Sequence, residues 1–584
     1  MKDKLYIIDT VKFAAEMGED TVLRYDLFKL IVAVQGQVNR EEPELYLMWV
    51  PQDSFWLDYM QEEGKFLHGR ERVELPNWAA FIEHYGSFIK ECGLAVWDYD
   101  VPATMNAATT ACGIDGYIPV RGGSEAMARI MKETGAEVKL DLVGKFTGKG
   151  RIWDTDRESS GSAKCDTYLW ALDKYMDKCH PTILFYTLDA ISWDDNKPFY
   201  PDLDNACVFN HDYAISKRAF VFDVSSYDDE VPSDDPTQPL GTDYKTMQEI
   251  FLRHYNLTGG RMTTVCGFNP WHVKYTTHNG KGKHDPVPGE WRFGEVLSAF
   301  NCVKDADAYG RCGLANASVF THFPLKAKYE NRKPDPTKVY DPDKTYILFY
   351  VGDYDAAAWT ARSIPEWYED PNLGKYPLMW CFNPNLSDRI PQAFDFIYER
   401  YTQNDYFEAG DSGAGYNNPA LLYEPRPHSG LPSGVAENIR HNKYYFDKFD
   451  LGIIGFIING DYNTDEQQMH DLAEFAKLGS TYTMGPNETT VVNGAVYMPM
   501  SGWGIGHRNS PGIEASAKDA LRAVDKYPKE KKFHVFRTIC VSPTRHGEIY
   551  EEMKRQRPEA NFELVDPITF FTFAKYAAEN GLTY

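Results

Sequence analysis

Two aspartates stand two residues apart in the run FYVGDYDAAAW, Asp353 and Asp355. On an extended chain such residues share a face, with Cα atoms about 6.6 Å apart from two rises of ~3.3 Å. Carboxylates that close push their proton affinities apart, so one holds a proton near neutral pH while the other stays charged. General acid–base chemistry uses that arrangement. The same hard oxygens would suit a divalent cation, and a solvated turn after a strand is the bland alternative.

A second set runs from Glu408 through Asp411 to Pro419, EAGDSGAGYNNP. Its glycines open backbone conformations that let main-chain N–H groups face a ligand. Asp411 would sit on a strand end with Glu408 as a reserve acid, and Tyr416 would stack on or hydrogen-bond to a sugar. The run lacks the lysine of GxxxxGK[ST], so it is not a phosphate loop. Neither HExxH nor GxSxG occurs, and His272, His278 and His284 show no metal-ligand spacing.

Polar residues recur just past successive apolar runs: Asn269 and Trp271, Asp353 and Asp355, Asn383, Asp411, Asn459 and Asp461, Ser542 and Arg545. Each alone could be a helix N-cap. Together they fit the rim of a parallel α/β barrel, where active sites lie at the C-terminal ends of the strands. Asp353, Asp355 and Asp411 are the expected catalytic acids, with Glu408 behind them. Trp271, Trp359, Trp380, Asn383, Tyr416, Asn459 and Asp461 are the expected substrate contacts. One acid would protonate the leaving oxygen of a glycoside, while the other carboxylate attacks the sugar or activates water.

The elements that must position these groups read as α/β throughout. Strand–helix alternation predicts a small N-terminal α/β domain over 1–140 and a second over 141–245. A (β/α) barrel-like domain is expected over 246–584, irregular, with seven or eight strands. An open doubly wound sheet is the alternative. The formal charge of −24 argues against nucleic acid, which demands clustered Lys and Arg. No apolar run approaches the ~20 residues a membrane span needs. The start, MKDKLYIIDT, has no apolar run behind its lysines, so it does not read as a signal peptide. A cytoplasmic protein is expected, or a periplasmic or secreted one whose signal has been removed. Ten scattered cysteines form no CxxC. Aromatic residues, 14% of the chain, suit the apolar C–H faces of sugar rings and equally suit large cores.

The block from TYILFYVGDYD to GAGYNNP resembles the GxGYxYP family of glycoside hydrolases. The motif stands here as Gly413-Ala-Gly415-Tyr416-Asn-Asn418-Pro419, with Asn418 in place of the second tyrosine. The family's aspartate-rich DGDN-like strand end reads Gly352-Asp353-Tyr354-Asp355-Ala356, with Ala356 in place of asparagine. PLMWCFNPNLSD is similar to the family's following segment, and LIVAVQGQVNREEPELYL and PATMNAATTACGIDGYIPV to its N-terminal domains. The resemblance implies a hydrolase of oligo- or polysaccharide; no cofactor is expected, with a divalent cation as the alternative that the paired aspartates would suit. Two alternatives stay open: a metal-dependent carbohydrate deacetylase or polysaccharide lyase, and a non-catalytic carbohydrate-binding protein on an enzyme-like scaffold.

Overall fold

A computed structural model describes residues 3–17, 20–187, 210–232, 234–267, 289–306, 314–507 and 512–582. The chain forms two compact units, Met1–Pro324 and Leu325–Tyr584.

Among its described residues the first unit holds three small parallel sheets. Strands β1 (Lys4–Asp9), β2 (Leu45–Met48) and β3 (Glu71–Glu74) pair in the order β2-β1-β3. Strands β4 (Leu94–Trp97), β5 (Ile118–Arg121) and β6 (Val138–Asp141) pair as β5-β4-β6, so residues 1–140 supply two sheets. The third sheet, β10-β9-β7-β8, contains β7 (Ile183–Tyr186), β8 (Phe220–Phe222), β9 (Thr263–Cys266) and β10 (Cys302–Asp305). It draws strands from both sides of residue 245, where a domain boundary was expected. Residues Ala317–Phe320 form a helical turn. Asn316 before it takes a left-handed φ of 65°, and its side chain bonds the Leu47 amide and carbonyl. That bend ends any extended run.

The second unit is built on one sheet of nine strands. They are β11 (Thr345–Tyr354), β12 (Leu378–Phe382), β13 (Asp405–Asp411), β14 (Ile453–Ile457), β15 (Gly479–Tyr482), β16 (Thr490–Val492), β17 (Ala495–Pro499), β18 (Phe533–Ile539) and β19 (Phe562–Leu564). Their order is β16-β17-β15-β14-β13-β12-β11-β18, with β19 beside the start of β11. All pairs are parallel except the β16–β17 hairpin. The run TVVNGAVYMPM reads as one strand in sequence. It folds back at Asn493 and Gly494, with φ 49° and 78°, as a two-residue hairpin turn requires.

Near-continuous apolar strands imply a sheet covered on both faces. On one face Tyr346, Leu348 and Tyr350 of β11 join Met379, Cys381, Val496, Met498, Phe533 and Val535. Phe570, Phe571, Ala574 and Ala577 complete this core, at helical spacing on the helix Pro567–Glu579. On the other face Phe349 packs on His546 of the helix Pro543–Gln556, ring centroids 5.1 Å apart.

The sheet curls until its ends approach. Past β17, Ser501 donates to the Val535 carbonyl at 2.9 Å, Arg537 to Gly502 at 2.8 Å and Ile505 to Arg537 at 3.0 Å. Gly502 and Phe536 form a single parallel bridge there. The described strands therefore make a curled half-barrel whose ends meet at one bridge; the complete ring of strand ladders expected of a (β/α) barrel is not formed among them. No helix among the described residues is long and apolar enough to cross a membrane.

Candidate active site

The C-terminal rim of β11 and β18 carries the densest charge arrangement near the expected acids. Tyr350 and Arg537 are register partners across this pair. The Tyr350 hydroxyl donates to Asp411 Oδ1 at 2.7 Å. Its ring fills space left by two glycines: a Cβ on Gly352 would lie 1.8 Å from Tyr350 Cε1, and one on Gly455 2.2 Å from Cε2. A side chain at either position would displace the ring that holds Asp411.

Arg537 Nη2 donates to Asp353 Oδ1 at 3.0 Å. Burial opposes the Arg537 charge, yet Asp353, Asp411, Tyr350 and Asp355, in that order, raise its pKa above the ordinary arginine value. One guanidinium thus senses all three aspartates. Its plane lies 5.1 Å from the Phe456 ring and 5.4 Å from that of Trp503. Asp353 takes a left-handed φ of 76° at the end of β11. That conformation costs a non-glycine residue on the order of 1 kcal/mol or more, and such strain gathers at functional sites. The Asp353 side chain is 38% exposed, whereas Asp411 and Asp355 are buried.

Asp411 is positioned from behind as well. Its backbone amide donates to Asn383 Oδ1 at 2.9 Å, and Asn383 is fully buried. Asn383 therefore orients an acid and offers no surface to a substrate. The glycine-rich loop that follows is pinned by the helix Val435–Phe449. Ala414 N–H donates to Asn442 Oδ1 at 2.7 Å, and His441 Nε2 donates to the Ala414 carbonyl at 2.8 Å. Burial pushes the His441 imidazole down to about 4, against the opposing bond to Ala414. Gly413, at φ 110°, passes so close that a Cβ there would lie 2.3 Å from Asn442 Oδ1. Tyr416 of the motif is buried.

Several expected residues stand elsewhere. Glu408 accepts the Gly452 and Ile453 amides, both at 2.9 Å, at the start of β14, whereas Asp411 pairs with Phe456 near its end. Burial pushes Glu408 up to about 8, against those two amides. Mid-way along β13, it is bonded to the start of β14 and away from the rim that carries Asp411. Trp380 is fully buried and donates to Asp405 Oδ1 at 2.8 Å. Asn459, also fully buried, accepts the Ala420 amide and donates to Gln468 and Thr464. Neither can contact a substrate from there. Asp461 is exposed, Trp359 is half-buried, and Trp271 lies outside the described residues. Ser542 is the N-cap of the helix Pro543–Gln556.

Arg537, Tyr350 and Trp503 were not among the expected residues. Arg537 had a signal, as the one charged residue inside the apolar run FHVFRTICV. Among the described residues no three His, Cys, Asp or Glu side chains are grouped to hold a metal.

Comparison with known proteins agrees with the resemblance read from the motifs. Residues 343–575 match the "GxGYxYP putative glycoside hydrolase C-terminal domain", residues 28–85 the first and residues 92–179 the second N-terminal domain of the same family. No curated protein matches the chain. Among solved structures, a "putative hydrolase" from Bacteroides thetaiotaomicron is similar over 98% of this chain and 95% of its own, with a TM-score of 0.68. At 16% identity that likeness is one of fold. With matches running from residue 28 to 575, the chain belongs to the GxGYxYP family.

Proposed function

We propose that the protein hydrolyses glycosidic bonds at the rim of the curled sheet, using Asp353, Asp355 and Asp411. The observation that supports this most is the position of Arg537, bonded to Asp353 and raised in pKa by all three carboxylates. A guanidinium among acids favours their charged forms. Asp411, which accepts the Tyr350 hydroxyl at 2.7 Å, is assigned the role of nucleophile or base. Asp355, buried beside Asp353 at the end of β11, is assigned as proton donor to the leaving oxygen. Asp353 keeps Arg537 in place.

A cation on Asp353 would have to share the carboxylate with Arg537, which already donates to Oδ1 at 3.0 Å. The metal-dependent alternative gains no support from that contact. The test is steady-state kinetics on aryl glycosides and oligosaccharides with Asp355→Asn and Asp411→Asn, followed by azide rescue. Each substitution is expected to slow turnover by about 10²–10⁴-fold, and azide to restore the Asp411 variant with a glycosyl azide of inverted configuration as product. Wild-type rates in both variants would end the proposal.

A further inference from the structure

The rim beside the acids carries a row of exposed, largely apolar side chains. Trp503 follows β17 and is 46% exposed, Met484 follows β15 at 42%, and Tyr462 follows β14 at 42%. These three strands are neighbours in the sheet. At a strand spacing of ~4.8 Å, β17 and β14 lie about 10 Å apart, a span longer than a single sugar ring. The two loops nearer β14 are tied together, Thr464 N–H donating to the Met484 carbonyl at 2.8 Å.

Trp503 is held in place before any ligand arrives. Its neighbours Gly502 and Ile505 are both hydrogen-bonded to Arg537 of β18. Its ring stands at 86° to Phe456, centroids 5.4 Å apart, and Arg537 lies 5.4 Å from its centre. An aromatic ring fixed beside the acids and open to solvent is suited to the C–H face of a sugar. The charge of the site selects further. The carboxylates of Asp353 and Asp411 outnumber Arg537, the guanidinium bonded to Asp353, so an anionic sugar would meet net repulsion.

We infer that Trp503, Met484 and Tyr462 form a track that binds an uncharged oligosaccharide of more than one sugar unit, with Trp503 as the platform nearest the acids. The inference rests on the proposed carbohydrate chemistry of this rim and names its substrate class.

Isothermal titration of the full chain with neutral hexasaccharides of glucose, xylose, mannose and N-acetylglucosamine, and with hexagalacturonate, tests it. At least one neutral hexasaccharide is expected to bind more tightly than its monosaccharide, and hexagalacturonate more weakly. Trp503→Ala should weaken that binding roughly tenfold or more, and Trp503→Phe should restore most of it. Binding without cleavage would defeat the hydrolase reading and leave the track standing. Cleavage unaffected by Trp503→Ala would defeat the track and leave hydrolysis standing. Equal binding by wild type and Trp503→Ala, tighter binding of hexagalacturonate, or no binding by any neutral hexasaccharide would each overturn the inference.

Discussion

Tyr350 and Arg537 sit side by side across β11 and β18, and each holds a different aspartate: the tyrosine Asp411 at 2.7 Å, the arginine Asp353 at 3.0 Å. Two strands distant in sequence thereby fix the relation between two acids that no local segment contains. Acid–base chemistry depends on such placement, because a proton must move between groups within hydrogen-bond reach of the substrate.

Replacing Arg537 should therefore disturb all three acids at once. Arg537→Gln removes the positive charge, and carboxylates that lose a nearby cation bind protons more tightly. The acidic limb of the pH–rate profile should move to higher pH, and kcat should fall about 10²–10³-fold, as when other charge-stabilising groups are removed. A pH–rate profile unchanged in shape and height would show that Arg537 is only structural.

Tyr350→Phe keeps the ring between Gly352 and Gly455 and deletes the bond to Asp411. A hydrogen bond to a charged group contributes about 1.5–3 kcal/mol, so urea unfolding should show a loss of that order, together with lower kcat. Gly455→Ala attacks the same contact from the other side, since its Cβ would lie 2.2 Å from the ring. Overpacking there should cost about 1–3 kcal/mol.

Glu408 predicts a pH dependence of stability that is independent of catalysis. Its folded pKa is raised from 4.5 to about 8, so the folded chain binds that proton more tightly than the unfolded chain. The stabilisation is fully present below about pH 4.5 and is lost as pH rises through about 8. The shift corresponds to at most about 5 kcal/mol. Glu408→Gln keeps an oxygen for the Gly452 and Ile453 amides and should flatten this slope in urea melts between pH 5 and about 8. An identical slope in the variant would assign the dependence to other groups.

Asn442→Ala would leave the Ala414 amide of the motif loop without its partner. An unsatisfied buried donor costs about 1–3 kcal/mol, and urea unfolding should register it. Turnover should fall with it, because Asp411 leads directly into that loop. Full activity in a variant destabilised by that amount would show that the loop supports the fold without positioning the acid.

Much of this arrangement could be read from the residues, and the rest depended on pairing. The strands TYILFYV, LMWCF, YFEAGD and FHVFRTI announce themselves as apolar runs, and Asp353 and Asp411 as carboxylates at their ends. Strand β15, Gly-Ser-Thr-Tyr, has no such run and is visible only through its neighbours β14 and β17. Trp380 and Asn459 follow the same pattern as the acids, yet their side chains turn into the packing, which residue order does not encode. Tyr350 looks like core because it is core; its hydroxyl gains a role only when β13 lies within reach. Arg537 is out of place in an apolar strand, but Asp353, to which it donates, is 184 residues earlier in the chain.

The bridge at Gly502 and Phe536 carries a consequence for how the protein comes to be made. Strand β18 lies between β11 and the segment 501–505, both of which leave the ribosome before it. Until it inserts, Asp353 lacks the guanidinium that bonds it in the folded protein. Arrival of β18 supplies the hydrogen bonds of the seam and the countercharge of the acids in one event. A nascent chain released before residue 533 would lack Arg537, so closure of the sheet and formation of the Arg537–Asp353 contact are the same late step of folding.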